Sequence, residues 1–226
     1  MDILKNHTCL DRIRFVEQPE QGAENYLKIT YLSHSCFEFK TPNKTILIDP
    51  FFSGNSSAPK YNGKPDLVLV THSHFDHADA KGFDATVVCP STCKFKKTVL
   101  MKIGEKKNVE GINVEMISAS HHQDPYPTGY IFELEGKRIS HLGDTYLDGV
   151  KKLANIDLLL LPIGGFFTMN PDEAIKALEI ISPKLAIPMH FGTLPQLAKD
   201  PSQFKQNAEK KGFKIRILKI GETMEY

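Results

Sequence analysis

The residues best suited to chemistry form a short string of imidazoles and one carboxylate. The string His72-x-His74-x-Asp76-His77 comes directly after the apolar run 66–71. In extended backbone, side chains two positions apart project to the same side, so His72 and His74 can bind one ion together. Asp76 and His77 follow as the chain turns, and are displaced enough to face a second ion. Imidazole and carboxylate suit zinc and its divalent neighbours, so the string predicts a metal site rather than a polar capping loop.

Two ions need more than four ligands, and three further candidates follow predicted strands at 114–118, 137–141 and 185–189. They are His121, Asp144 and His190. Side chains just past the carboxyl ends of separate strands can converge on one point. Taken singly, Asp144 could equally be the N-cap of a helix over 146–153. Each of the two histidines, taken singly, is also typical of an ordinary loop. Beside the first string, the ligand interpretation is favoured.

Alternating and short apolar runs predict the strands that carry these residues. The predicted strands are 27–32, 36–39, 45–49, 66–71, 86–89, 109–118, 129–134, 137–141, 157–161, 185–189 and 213–218. Helices are predicted at 91–100, 171–181 and 202–211, and a loop at 53–65. Antiparallel hairpins mixed with helix-connected strands favour layered sheets with helices outside.

The bulk composition excludes several classes of protein. The chain has 226 residues, and its 28 Lys+Arg against 27 Asp+Glu give a net charge of +1, which argues against a strongly basic nucleic-acid binder. No apolar stretch is long enough to span a bilayer, and the N-terminus shows no secretory signal. The four cysteines form no disulfide framework and predict reduced thiols in a cytoplasmic protein.

Several longer segments of the sequence resemble those of a known family. Segments 45–51 (TILIDPF), 66–77, 141–145 (HLGDT), 161–169 (LPIGGFFTM) and 187–193 (IPMHFGT) resemble the UPF0173 metal-dependent hydrolases of the metallo-β-lactamase superfamily. This group is close to the ascorbate-6-phosphate lactonases. The family's Gly-His-Ser is Ser33-His34-Ser35 here, and its acidic and amide positions after strand 157–161 are Gly165 and Phe166. The replacement of the acidic and amide residues by Gly165 and Phe166 predicts a more apolar pocket.

The resemblance implies an αββα sandwich of two sheets with helices on both outer faces. Residues 27–226 would form this domain, with 1–26 as a lead-in packed on it. One metal ion would be held by His72, His74 and His121. A second would be held by Asp76, His77 and His190, with Asp144 bridging, which fits a carboxylate because it has two oxygens. Zinc is the expected metal, with Mn, Ni or Fe as alternatives.

The expected function is hydrolysis of a small-molecule lactone, ester or phosphodiester by a hydroxide bound between the two ions. Asp76 would orient that hydroxide. By the resemblance, His34 is an active-site histidine that donates a proton to the leaving group or holds the substrate anion, the alternative being a supporting histidine. We therefore predict Asp76 and His34 as the catalytic residues.

Other functions remain open at this stage. A phosphodiesterase or nuclease of the same superfamily is the first alternative, although the one basic cluster, Lys94–Lys107, is typical of a solvated surface and no nucleic-acid partner is expected. A redox enzyme would need a flavin domain for which the chain has no room. A non-catalytic metal-binding protein with the same sandwich is the last alternative. The complete set of seven candidate ligands argues against it, because a binding protein would not need an open metal site. No membrane partner is expected, and the resemblance allows a homo-oligomer.

Overall fold

The computed structural model describes residues 26–226, except Lys199. The predicted lead-in at 1–26 therefore lies almost wholly outside the described residues, and so does Cys9. The domain boundary at 27 stays a prediction. Within the described part, Cys36, Cys89 and Cys93 are free thiols, as expected.

Two sheets make up the described chain. The first has seven strands in the order β13-β1-β2-β3-β4-β5-β6, and the second has six in the order β12-β11-β10-β9-β8-β7. The strands are β1 Lys28–Ser33, β2 Cys36–Lys40, β3 Thr45–Ile48, β4 Leu67–Leu69, β5 Thr86–Cys89, β6 Thr98–Leu100, β7 Lys106–Val109, β8 Ile112–Ser118, β9 Thr128–Leu134, β10 Lys137–His141, β11 Leu158–Pro162, β12 Leu185–Met189 and β13 Thr223–Glu225.

Side-chain alternation divides these strands into inner and outer faces. Phe37 and Phe39 of β2 and Phe132 of β9 lie in the core between the sheets. The alternate positions face outward. The outer face of the second sheet packs against both α-helices, α1 Pro171–Ile181 and α2 Ser202–Lys210. The outer face of the first sheet is covered, in the described residues, by side chains from loops. The predicted two-sheet sandwich is confirmed, but both α-helices of the described residues lie on the second sheet, so the helix expected on the outer face of the first sheet is not found among those residues.

Strand direction decides where the functional residues lie. In the first sheet β1, β3, β4 and β5 run one way and only β2 and β13 run against them. In the second sheet β8, β10, β11 and β12 run the same way as one another. The carboxyl ends of like-directed strands meet at one edge of a sheet, where ligand-binding loops collect.

One predicted helix is wrong. Residues 91–100 form a turn followed by β6, which pairs parallel with β5. Cys93 and Phe95 point inward while Lys94 and Lys96 are exposed, so the segment has a period of two and not of 3.6. The hydroxyl of Thr98 accepts from the Phe95 amide at 3.1 Å and donates to its carbonyl at 2.8 Å, which closes a local turn.

Two strand predictions also change. The predicted strand 109–118 is a hairpin, because Glu110 and Gly111 adopt positive φ angles of 52° and 83° and turn the chain between β7 and β8. The predicted strand 213–218 makes a single bridge, Ile215 to Ala186, and β13 was not predicted.

The predicted helix 171–181 is confirmed to the residue, with Asn170 and Glu173 forming a capping box. Within the described residues, no helix is both long and apolar enough to cross a bilayer.

Candidate metal centre

The topology brings all the predicted ligands to one edge of the sandwich. His72 follows β4, His121 follows β8, Asp144 follows β10 and His190 follows β12. His34 lies in the turn after β1. The two sheets are tied together at this edge, where the backbone amide of His190 donates to the carbonyl of His34 at 2.8 Å. The ends of the separate strands therefore converge at one place, as predicted.

Three histidines form the first cluster. His72 Nε2 lies 3.0 Å from His74 Nδ1, and His121 Nε2 lies 3.2 Å from the same atom. A tetrahedral zinc ion with Zn–N bonds of 2.0–2.1 Å would set ligand nitrogens about 3.3–3.4 Å apart. The three nitrogens thus surround a space of the size that one divalent ion fills.

The outward nitrogens of these rings fix their tautomers. His74 Nε2 donates to the Gln123 carbonyl at 3.1 Å, and His121 Nδ1 donates to the Phe167 carbonyl at 3.0 Å. His72 Nδ1 lies 3.0 Å from the Thr71 hydroxyl, which already donates to Asp49 and so accepts from the ring. Each inward nitrogen is then a lone pair. Three lone pairs within 4.8 Å of one another, two of them 3.0 and 3.2 Å from the third, repel unless a cation lies between them.

A second cluster lies beside the first. Donor atoms of His34, Asp76, His77 and His190 all fall within 4.8 Å of one another. His77 Nδ1 donates to Asp49 Oδ2 at 2.8 Å, which leaves its Nε2 as the atom that could bind a cation. That atom is buried and has no hydrogen-bond partner among the described residues. Buried nitrogens of this kind are normally paired, and a bound cation would supply the partner.

Asp144 lies between the two clusters. Its Oδ1 is 3.3 Å from His77 Nε2, and its Oδ2 is 3.1 Å from His190 Nε2. The same Oδ2 lies 4.0 Å from the Nε2 atoms of His72 and His121. A carboxylate in this position has oxygens available to both clusters, as the bridging role requires.

Asp49 holds candidate ligands in place through hydrogen bonds on the side away from the cleft. It is fully buried and accepts from the Thr71 amide at 2.8 Å, the Thr71 hydroxyl at 2.7 Å and His77 at 2.8 Å. Burial alone would raise the pKa of Asp49, but the charge of His77 and its hydrogen bond hold the pKa below its ordinary value. One carboxylate therefore orients a ligand of each cluster, directly through His77 and through Thr71 for His72.

Burial and charge set opposite protonation states in the protein without metal. Burial lowers the pKa of His72 to about 3 and that of His34 to about 4. Burial would also lower the pKa of His77, but Asp144 and Asp49 on either side raise it well above its ordinary value. Burial would raise the pKa of Asp144, whereas His190 and His77 hold it well below the usual range. His72, His34 and Asp144 thus have the protonation state that metal binding needs, whereas His77 would release a proton when it binds a metal ion.

The backbone around the site is tightly constrained. His34, Asp49 and His190 adopt positive φ angles of 58°, 45° and 57°, a conformation that costs energy for residues other than glycine. A Cβ at Gly164 would lie 2.0 Å from the carbonyl oxygen of His190. Only glycine fits this close approach, and so Gly164 fixes the position of the His190 loop.

The predicted residues separate into those that reach the site and those that do not. His34 is completely buried, with Nε2 3.3 Å from Asp76 Oδ2 and Nδ1 2.5 Å from the Thr193 hydroxyl. His141 is buried and bonds to the Ser35 carbonyl, and His122 is exposed and stacks on Tyr146. These last two belong to neither donor cluster.

A cleft of about 420 Å³ opens over the two clusters. Its lining residues are His74, Phe75, Asp76, His121, Gln123, Asp144, Phe167, His190, Leu194, Pro195 and Gln196. The sequence did not single out Phe75 or the 194–196 segment. Phe75 stands inside the ligand string and is 73% exposed, an exposure that only the tertiary structure reveals. Gly165 and Phe166, which were expected to make the pocket more apolar, do not line the cleft; Phe166 is 69% exposed, and Phe167 lines the cleft instead.

Comparisons with known proteins agree with this geometry. A family model described as a beta-lactamase superfamily domain matches residues 28–190. A UPF0173 metal-dependent hydrolase of Methanopyrus kandleri is 36% identical, and the match covers 88% of this chain and all of the relative. A UPF0173 metal-dependent hydrolase of Listeria innocua is 34% identical over the same shares of both chains. Similarity of this extent reaches well beyond the ligand string.

A solved structure is similar over most of its length. Igni18, a metallo hydrolase from the archaeon Ignicoccus hospitalis, superposes with a TM-score of 0.79 at 30% identity. The match covers 89% of this chain and 98% of that one. The two-sheet sandwich therefore recurs in a metallo hydrolase.

Proposed function

The chain belongs to the metallo-β-lactamase superfamily and is a metal-dependent hydrolase of the UPF0173 group, and from that premise we propose that it cleaves neutral esters or lactones that carry an apolar group. Two divalent cations would be held at the clusters described above, zinc being the expected metal and Mn, Ni or Fe the alternatives. His72, His74 and His121 would hold the first. Asp76, His77 and His190 would hold the second, with Asp144 between them.

When bound, the two cations would supply a water of lowered pKa and would polarise the carbonyl oxygen of the substrate. The chain's own residues position the reaction. Asp76 is buried, lines the cleft and faces His34, so its carboxylate can orient a water at the base of the cleft. Burial would raise the pKa of Asp76, but the neighbouring His34 and the charge of His77 hold it well below the usual range. The group therefore accepts hydrogen bonds at neutral pH.

The apolar character of the cleft walls carries the proposed substrate class. Above the donor atoms the walls are mainly apolar, and no Lys or Arg of the described residues lines the cleft. The wall residues are Phe75, Phe167, Leu194 and Pro195, with the uncharged polar Gln123 and Gln196. An apolar substituent gains about 0.8 kcal/mol per methylene buried against such walls. Among the described residues, no side-chain cation would pair with the anionic group of a phosphodiester, which would contact only the bound metal ions. The walls therefore favour neutral esters over phosphodiesters.

The basic cluster argues against a polynucleotide substrate. Lys97 pairs with Asp84 at 2.6 Å, Lys106 with Glu115 at 3.3 Å and Lys107 with Glu105 at 3.1 Å. These acidic partners offset the positive charge that a nucleic-acid clamp would need. A phosphodiesterase acting on nucleic acid is accordingly the less favoured alternative.

The test is a substrate series on metal-loaded protein. p-Nitrophenyl esters with acyl chains of two to eight carbons would be compared with bis(p-nitrophenyl) phosphate, after loading with Zn, Mn, Ni or Fe(II) in turn. We expect kcat/KM for the esters to rise about two- to fourfold per methylene until the cleft is filled, because each buried methylene contributes up to about 0.8 kcal/mol. Asp144→Ala removes the bridging carboxylate and should abolish the activity.

The Phe75→Ala variant distinguishes binding of the apolar group by the cleft wall from the hydrolytic step itself. The variant should lose the dependence on chain length and keep the rate on the two-carbon ester within about threefold. Leu100→Ala, which removes a half-exposed apolar side chain on β6 outside the cleft, is the matched control and should behave like the wild type. Cleavage of the phosphodiester with no ester activity, for any metal, would refute the proposed substrate class.

A further inference from the structure

His34 occupies a place that fits neither a proton donor for the leaving group nor a substrate anchor. Its side chain is 0% exposed and does not line the cleft, whereas Asp76, Asp144 and His190 do. A group that assists the leaving group must lie within hydrogen-bond reach of it. His34 lies behind the cleft floor, on the far side of Asp76, so substrate cannot contact it.

Several contacts fix the His34 ring in this position. Its backbone carbonyl accepts from the Tyr31 hydroxyl at 3.0 Å and from the His190 amide at 2.8 Å. Its ring centroid lies 4.0 Å from that of His190 and 5.4 Å from that of His77. The residue also maintains a left-handed backbone with φ 58°. Such strain persists where the surroundings over-determine the conformation, and it collects at functional sites.

The two ring nitrogens of His34 have different surroundings. Nδ1 lies 2.5 Å from the Thr193 hydroxyl, which can accept its proton. With the proton on Nδ1, Nε2 has a lone pair, and it is buried with no hydrogen-bond partner in the described part of the chain. It is directed toward the second cluster, 3.3 Å from Asp76 Oδ2. The histidines of the first cluster have the same arrangement, with a proton bonded outward and a lone pair inward.

We propose that His34 Nε2 is itself a ligand of the second cation, beside Asp76, His77 and His190. This inference rests on the metal centre of the proposed function. The second site then has four protein ligands in addition to the Asp144 carboxylate, which is more than a tetrahedral ion accepts. The first site has three histidines and Asp144. The second site consequently suits a divalent metal of higher coordination number, and the first site suits zinc.

Titration of the metal-free protein with Co²⁺ tests this ligand directly. The variant is His34→Asn, because asparagine tolerates the left-handed backbone and its amide can still reach the Thr193 hydroxyl, but it places no atom where Nε2 lies. The wild type should bind two equivalents of Co²⁺. The variant should keep the first equivalent and bind the second at least 100-fold more weakly, with a changed visible absorption for that equivalent. His122→Ala, which removes an exposed histidine, should match the wild type.

A second measurement uses the wild type alone. In the Co²⁺-loaded protein, ring N–H protons of ligating histidines are strongly shifted in the proton NMR spectrum. Six such resonances are expected if His34 is a ligand and five if it is not. Five resonances, or binding of the second equivalent by His34→Asn within threefold of the wild-type affinity, would overturn the inference. Failure of the wild type to bind any Co²⁺ would overturn the proposed metal centre as well.

Discussion

Replacing Asp49 with asparagine tests whether the support behind the ligands controls metal affinity. Asp49 has no access to substrate, since it is fully buried and accepts three hydrogen bonds, two from Thr71 and one from His77. Asparagine keeps the shape but offers one acceptor oxygen and a donor amide. If the amide faces His77 Nδ1, the ring must take the other tautomer, and the proton on Nε2 then blocks the inward lone pair.

The expected loss follows from these contacts. Removing the partner that orients a metal-bound histidine lowers metal affinity about 10- to 100-fold, which corresponds to about 1.4–2.7 kcal/mol. The second cation should lose most, because His77 contacts Asp49 directly, while His72 is affected only through Thr71. Competition with a chromophoric chelator measures the two affinities separately. Circular dichroism would confirm that the variant is folded.

Asp157→Asn provides the matched control. Asp157 accepts from the Arg138 amide at 2.8 Å and pairs with Lys184 at 2.7 Å, and it precedes β11 at the end of the sheet opposite the site. The control should lose some stability and no metal affinity. Wild-type affinity for both cations in Asp49→Asn would refute the argument that Asp49 sets the tautomer of His77.

Two more predictions concern the backbone and the protonation of the site. Gly164→Ala places a Cβ 2.0 Å from the His190 carbonyl, so we expect a loss of about 1–3 kcal/mol in urea unfolding together with weaker metal binding; unchanged values for both would show that the loop adapts. In protein freed of metal by a chelator, stability should be greatest near pH 6.5. It should fall toward pH 4 because the pKa values of His34 and His72 are depressed to about 4 and about 3, and the unfolded chain then binds more protons. It should also fall above pH 6.5, because the pKa of His77 is raised and its contribution is lost as pH rises through that value. Urea midpoints between pH 4.5 and 8.5 measure both limbs, and a steady rise across that range would contradict the opposed shifts.

Much of the local structure follows from patterns a few residues long. The helix Pro171–Ile181 was predicted to the residue, because proline at its first turn and two acidic residues are local signals that burial reinforces. The strands predicted at 129–134 and 137–141 leave only Glu135-Gly136 between them, and these two residues form the tight turn, with φ angles of 47° and 70°. The segment 91–100 was not, because a short run of serine, lysine and apolar residues is compatible with helix or edge strand, and pairing with β5 decides between them.

The sequence by itself determined the ligand types, their order and their position after strands. The string from His72 to His77 requires only extended backbone followed by a turn, and both are local properties. The tertiary structure decided which donor atoms lie together, since His121, Asp144 and His190 meet the string only because like-directed strands end at one edge. It alone buried His34 beneath the cleft and exposed Phe75 above it. Burial is a property of the packed sheets, and no pattern in the neighbouring residues encodes it.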